Sequence, residues 1–169
     1  MTARNLNNEF QDENNRKYAY DFDYILRDYM LKEFKPLFVR SDSIGPSNNA
    51  LEMGCYKGEF TKKISSYFDD ILVIEGSSDL VNYCRNEFKL SPELIHNKNI
   101  NFLNQRFEDT VLETKLDNVF LIHTLEHLDN PVDILKKING WLSDKGRLFL
   151  AVPNANAVSR QIAVNMGLI

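Results

Sequence analysis

Three short stretches of this sequence carry residues whose types and spacing can do chemistry. The first, LEMGCYKGEF (51–60), places Glu52, Gly54 and Gly58 where an apolar run gives way to a turn. Glycines there let the backbone adopt left-handed angles and approach a neighbour closely. The second, ILVIEGSS (71–78), ends an apolar run with Glu75, 21 positions beyond Gly54. An acid so placed suits hydrogen bonds from the hydroxyls of a ribose. The third, HTLEH (123–127), sets His123, Glu126 and His127 within five residues. Three readings of it stand: His123 as general base, Glu126 and His127 as structural hydrogen-bonding groups, or a divalent-metal site. The last requires the stretch to be helical, which would put His123 and His127 four residues apart on one face.

The elements that must position these residues follow from the hydrophobic pattern. Residues 1–17 are polar and Asn-rich and read as a mobile tail. From Tyr18 to about Phe38, Phe22, Ile25 and Tyr29, with Leu26, Met30 and Phe34, recur at helical spacing. The aromatic residues Tyr18, Tyr20, Phe22 and Tyr24 make the start of this helix a candidate lid, with packing on the rest of the fold as the plainer reading. SDSIGPSNN (41–49) is turn chemistry and reads as a linker, so 18–49 forms an N-terminal helix and linker.

A regular alternation then begins. Strands are expected at 50–53, 71–74, 100–103, 119–122 and 147–152. Helices are expected from Gly58 to Phe68, after a cap at Ser77 or Ser78, after Asn130-Pro131, and from about Ala155. The inner face of the helix after Pro131 is expected to be Val132, Leu135, Ile138 and Leu142. Strands apolar on both faces imply a parallel sheet covered on both sides, a Rossmann-like doubly wound α/β fold with strand order 3-2-1-4-5. Ligands of such folds sit at the carboxyl ends of the strands beside the switch point, where the Gly54–Gly58 loop falls. The helix after Gly58 would offer free N–H groups and its positive end to an anion.

Composition narrows the partners. A net charge of −4 without a run of Lys or Arg argues against a nucleic-acid binder. Apolar runs fall short of the ~20 residues that cross a bilayer, so no membrane partner is expected. Cys55 and Cys84, the two cysteines, read as buried thiols of a reducing compartment, and a cytoplasmic location is expected.

The order of these segments resembles the class I S-adenosylmethionine (SAM)-dependent methyltransferases. LEMGCYKGEF is similar to their first motif, ILVIEGSS to their second and FLNQRFED to their third. DNVFLIHTLEHLDNPVDILKKINGWLSDKGRLFLAVPN resembles the fourth-to-fifth-strand region of the small-molecule O- and N-methyltransferases, which include ubiquinone-biosynthesis and sugar-modifying enzymes. The resemblance covers about 50–154 and implies SAM as cofactor and a small-molecule acceptor. An acid at Glu52 agrees, because the methionine part of SAM carries a cation where a pyrophosphate would carry only negative charge. An NAD-dependent oxidoreductase is disfavoured by that acid and by Tyr56, which stands where a middle glycine would be. The rival reading from another class is a non-catalytic SAM-binding or assembly module.

Residue by residue, the resemblance implies that Glu52, Gly54 and Gly58 surround the methionine part, with Cys55, Tyr56 and Lys57 contributing backbone. It implies that Glu75 binds the ribose and that Gly76 and Ser77 lie beside the adenine. Arg106 and Phe107 fall where the family commonly has an acid and a small residue next to adenine, so Phe107 or Glu108 is expected to substitute. His123 is expected beside the transferable methyl group, and His127 joins it as a catalytic candidate; no metal is assigned. The family also carries two further strands after the fifth. Residues 50–169 are therefore expected to form a C-terminally incomplete SAM-binding domain whose open sheet edge a homodimer would cover.

Overall fold

A period-two alternation in the strands builds two cores, one on each face of a single sheet. The structure, a computed structural model, describes residues 21–39, 49–90, 99–154 and 156–166. Five parallel strands are β1 (Asn49–Met53), β2 (Asp70–Glu75), β3 (Asn99–Asn104), β4 (Leu116–Ile122) and β5 (Leu142–Ala151). They lie in the order β3-β2-β1-β4-β5, as the sequence pattern predicts. Central β1 pairs with both neighbours, so Glu52 stands opposite Val73 on one side and Phe120 on the other.

Helices α1 (Asp21–Phe34), α2 (Glu59–Ile64) and α3 (Ser78–Leu90) accompany the first half of the chain. Helix α4 (Pro131–Trp141) leads into β5, and α5 (Val158–Asn165) follows it. On one face Ala50, Val73, Phe120 and Ile122 pack with Met30 of α1, Phe60 and Ile64 of α2, and Cys84 and Phe88 of α3. On the other face Leu51, Met53, Val119 and Leu121 pack with Ile134, Ile138 and Trp141 of α4. Neighbouring strand residues thus serve opposite cores, the consequence of side chains alternating along a strand.

The sequence reading misplaced parts of these faces. Leu26, Met30 and Phe34 turn toward the sheet, but Ile25 and Tyr29 are exposed. Val132 is exposed too, because α4 buries the stripe through Ile134, Ile138 and Trp141 instead. Periodicity fixes the spacing of a stripe, while the packing partner selects which stripe is buried. Helix α2 ends at Ile64 rather than Phe68, and Phe68 packs from the loop beyond it. Of the aromatic lid expected at 18–25, Tyr18 and Tyr20 lie outside the described residues and Phe22 and Tyr24 fall in α1; the linker expected at 41–49 lies outside them as far as Asn48.

Two devices hold the C-terminal end of α1 to the sheet. Phe38, just beyond the helix, meets the rings of Tyr67, Phe68, Phe120 and Phe149. The buried Asn118 amide accepts from Val39 N at 2.9 Å and donates to Val39 O at 3.0 Å, imitating a strand pairing. At the far edge, β5 leaves register with β4 between Leu116 and Asn118, where the SDKG stretch makes its excursion. Gly146 is needed there, since a Cβ would lie 2.6 Å from the Leu116 carbonyl.

Candidate functional site

The tips of β1, β2 and β4 meet at the carboxyl edge of the sheet, and hydrogen bonds between them shape the site. Gly54 has φ +80° and donates its N–H to Ile74 O at 2.8 Å. A Cβ on it would lie 2.6 Å from the Thr124 hydroxyl, so both its angle and its space require glycine. The same hydroxyl lies 3.0 Å from Met53 O and 3.1 Å from Ile122 O, and donates to one of them at a time. Thr124 thus joins β1 to β4 at the switch point. Sequence reasoning passed over it, because the threonine inside HTLEH carries no signal of its own.

Tyr56 bends the loop again at φ +51°, a costly angle for a residue with a Cβ. Its N–H points to Glu75 Oε2 at 3.4 Å, and its carbonyl accepts from Cys84 Sγ at 3.3 Å. Cys55 and Cys84 are buried with their sulfurs 3.9 Å apart, and both are free thiols. The hydrogen bond with the Cys84 thiol, and after it burial, push the Cys55 thiol well above its ordinary range. Gly58 closes the loop at φ +76°, where a Cβ would come within 2.8 Å of the Phe88 ring.

Two acids lie under this loop with different surroundings. Glu75 is 8% exposed; its Oε1 accepts from Ser77 N at 2.9 Å and its Oε2 faces Tyr56 N. Burial raises its pKa, opposed by hydrogen bonds from the backbone of Ser77, Tyr56, Cys55 and Gly76. An ionised carboxylate has about four lone-pair sites. Four backbone N–H groups face them, those of Ser77 and Tyr56 at 2.9 and 3.4 Å. Ser77 also accepts from Leu80 N at 3.3 Å, which makes it the cap of α3.

Glu52 is only 1% exposed and accepts from the Thr61 hydroxyl of α2 at 2.6 Å. Desolvation pushes its pKa from 4.5 to about 7, against the hydrogen bond from Thr61. It is therefore brought beneath the loop rather than opened toward a ligand.

The third stretch is not an α-helix. Leu125–His127 is a single 3₁₀ turn, and His123 precedes it at φ +51° with its N–H bonded to Ala151 O at 2.8 Å. The helical face that a metal pair of His123 and His127 needs does not form. Both imidazoles instead flank one carboxylate: Glu126 Oε1 is 3.7 Å from His123 Nδ1 and 3.9 Å from His127 Nε2. These separations are too long for hydrogen bonds. His123 has a side chain 36% exposed, yet its Nε2 is shielded and has no hydrogen-bond partner among the described residues.

Beyond β3, Arg106 pairs with Glu108 at 3.4 Å on the surface, while Phe107 turns into the core with Leu51 and Met53. An exposed pair of this kind contributes little to stability. The turn is tied back to β2, since Gln105 N and Asn104 Nδ2 both donate to Glu75 O, at 3.2 and 2.9 Å. The structure thus gathers Glu52, Gly54, Cys55, Tyr56, Gly58, Glu75, Gly76 and Ser77 around one strand edge, with His123 on its β4 side.

Residues 6–167 match the family described as Methyltransferase domain. The chain belongs to that family. Among curated proteins, this methyltransferase domain is similar to the mitochondrial ubiquinone biosynthesis O-methyltransferase of Schizosaccharomyces pombe. They are 22% identical over 116 residues, 69% of this chain and 42% of that relative. Among solved structures it resembles the N-methyltransferase NodS from Bradyrhizobium japonicum in complex with S-adenosyl-L-homocysteine (SAH). That match has a TM-score of 0.65 and 15% identity, over 83% of this chain and 69% of that one. It also resembles coclaurine N-methyltransferase bound to N-methylheliamine and SAH, at TM-score 0.58 and 20% identity, over 72% of this chain and 34% of that one. The domain therefore spans less than half the length of two of these relatives, and identities this low establish the shared fold. No helix among the described residues is long and apolar enough to cross a membrane.

Proposed function

We propose that this domain binds SAM and serves a methyltransferase acting on an oxygen or nitrogen of a small molecule. The observation that carries the reading is the Glu75 carboxylate, held at the tip of β2 by backbone N–H groups beside the Gly54–Gly58 loop. An acid fixed at that strand tip suits the hydroxyls of a ribose. The residues present fit the rest of the cofactor as well. Gly54 and Gly58 give the loop its two glycine turns at positive φ, packed so closely on Thr124 and Phe88 that no side chain fits, and so hold its backbone at the sheet edge where a ligand would lie. Glu52 acts from below as a buried charge that a cationic ligand favours in its ionised form.

When bound, SAM supplies a methyl group on a sulfonium, a good electrophile toward an aligned oxygen or nitrogen. The work of the chain is then to hold donor and acceptor in line and to keep water out. On this reading Glu75 holds the ribose, Gly76 and Ser77 border the adenine, and Cys55, Tyr56 and Gly58 line the methionine part. Arg106, held in its surface pair, orders the adenine-side turn without entering it. His123 borders the reacting atoms, with the Glu126 carboxylate on its Nδ1 side and Nε2 as the nitrogen that would accept a proton from the acceptor. His127 shares that carboxylate. The names of the relatives, an O-methyltransferase and two N-methyltransferases, support an oxygen or nitrogen acceptor.

One observation favours a second reading, a SAM-binding module without transfer: His123 Nε2 is closed to solvent in this conformation. Calorimetry with SAM, SAH and NAD tests the first part of the proposal. Binding of SAM and SAH without NAD is the expected result, and binding of NAD alone would overturn it. Mass spectrometry of phenolic, sugar and amine acceptors incubated with SAM then separates transfer from binding.

A further inference from the structure

Lys137 stands on α4, outside every motif considered so far, and its ammonium is enclosed by backbone carbonyls. It donates to Phe107 O at 3.3 Å, to Thr110 O at 3.1 Å and to Glu108 O at shorter range. Three N–H donors thus meet three acceptors of one turn. The turn gathers the negative ends of several peptide dipoles at one point, an arrangement that needs a cation to be stable. Within the turn the Thr110 hydroxyl donates to Arg106 O at 2.9 Å and Gln105 Nε2 to Asp109 O at 3.0 Å, but its backbone bonds are long. Asp109 N reaches Arg106 O at 3.2 Å and Thr110 N reaches Phe107 O at 3.3 Å, the poorer geometry of a 3₁₀ turn.

The other end of this turn is bonded to Glu75 O through Gln105 and Asn104. Helix α4, which carries Lys137, starts only four residues after His127. One helix therefore grips the turn beside β2 and follows directly from the loop that carries His123. We infer that Lys137 is a positioning residue: its ammonium draws the 106–110 turn onto α4 and so sets how that turn stands relative to Glu75. The inference rests on the reading of this edge as the adenosine side of a SAM site.

The test compares Lys137→Met with two controls in calorimetry with SAH and in amide hydrogen exchange. Lys136 on the same helix is exposed and paired only locally with Asp133, so Lys136→Met should bind SAH as the parent does. Ile138→Val, in the core beneath α4, should lower the melting temperature and leave SAH affinity unchanged. Lys137→Met should weaken SAH binding tenfold or more and speed exchange at the Asp109 and Thr110 amides. Lys137→Arg, which keeps the cation, should recover most of both and stands in if the Met variant does not fold. Parental SAH affinity in a folded Lys137→Met protein would overturn the inference, as would unaltered exchange at those two amides. A parent protein that binds no SAH would instead remove the reading of the site, and the exchange rates would still decide whether Lys137 holds the turn.

Discussion

The Thr61 hydroxyl donates to the buried Glu52 carboxyl at 2.6 Å, tying α2 to the central strand. Because Glu52 titrates near 7 in the fold and near 4.5 in an open chain, it links stability to pH. Between those values the folded state holds a proton that the unfolded state has lost, so this group's contribution falls as pH rises and levels off above about 7. Glu52→Gln keeps an acceptor for Thr61 and removes the charge. It should match the parent near pH 4.5 and exceed it by roughly 3 kcal/mol at pH 8 without ligand. Urea denaturation across that range checks it, and parallel pH curves for the two proteins would refute it.

Glu75 should dominate cofactor affinity. Glu75→Ala removes an anchored, charged acceptor for two hydroxyls and should weaken SAH binding by about 2–4 kcal/mol. Calorimetry on the folded variant measures it, and an unchanged affinity would dismiss Glu75 as the ribose acceptor.

Gly54 should tolerate no side chain. Gly54→Ala combines φ +80° with a Cβ 2.6 Å from the Thr124 hydroxyl, which itself bridges β1 and β4. A loss of about 2–4 kcal/mol is expected from the backbone strain and the displaced threonine together. Thermal melts would show it, whereas a melting temperature within a degree of the parent would mean that the loop yields freely.

His123 should matter for turnover more than for binding. Asparagine tolerates positive φ better than most residues, so His123→Asn removes the imidazole while sparing the backbone. As a general base, His123 should account for about 10²–10⁴ in rate, with SAH affinity nearly unchanged. Equal turnover in the variant would exclude the role.

Cys55 and Cys84 should resist modification in the native state. Both are buried, and the Cys55 thiol is held well above its usual range, so little thiolate is available to react. A colorimetric thiol reagent should find both only on unfolding; rapid reaction of the native protein would show that the loop opens.

The sheet and its order were legible in the sequence because local pattern carries them: short apolar runs, each followed by turn chemistry and a helical repeat. The placement of Gly54, Gly58 and Glu75 at the strand tips was legible for the same reason, since each position depends on one strand-turn-helix unit. The capping role of Ser77 was equally local. What lay beyond reach depends on contacts between segments far apart in the chain. Whether α1 buries Ile25 or Met30, and whether α4 buries Val132 or Ile134, was decided by the surface each helix met. HTLEH offered helical spacing, yet the bond from His123 N to Ala151 O holds its first residue at positive φ and confines the turn to three residues. Glu52 carries no mark in the sequence of the Thr61 bond and the burial that raise its pKa. Thr124 and Lys137 were invisible altogether, because a hydroxyl shared by two strand tips and an ammonium among three carbonyls exist only once the chain has folded.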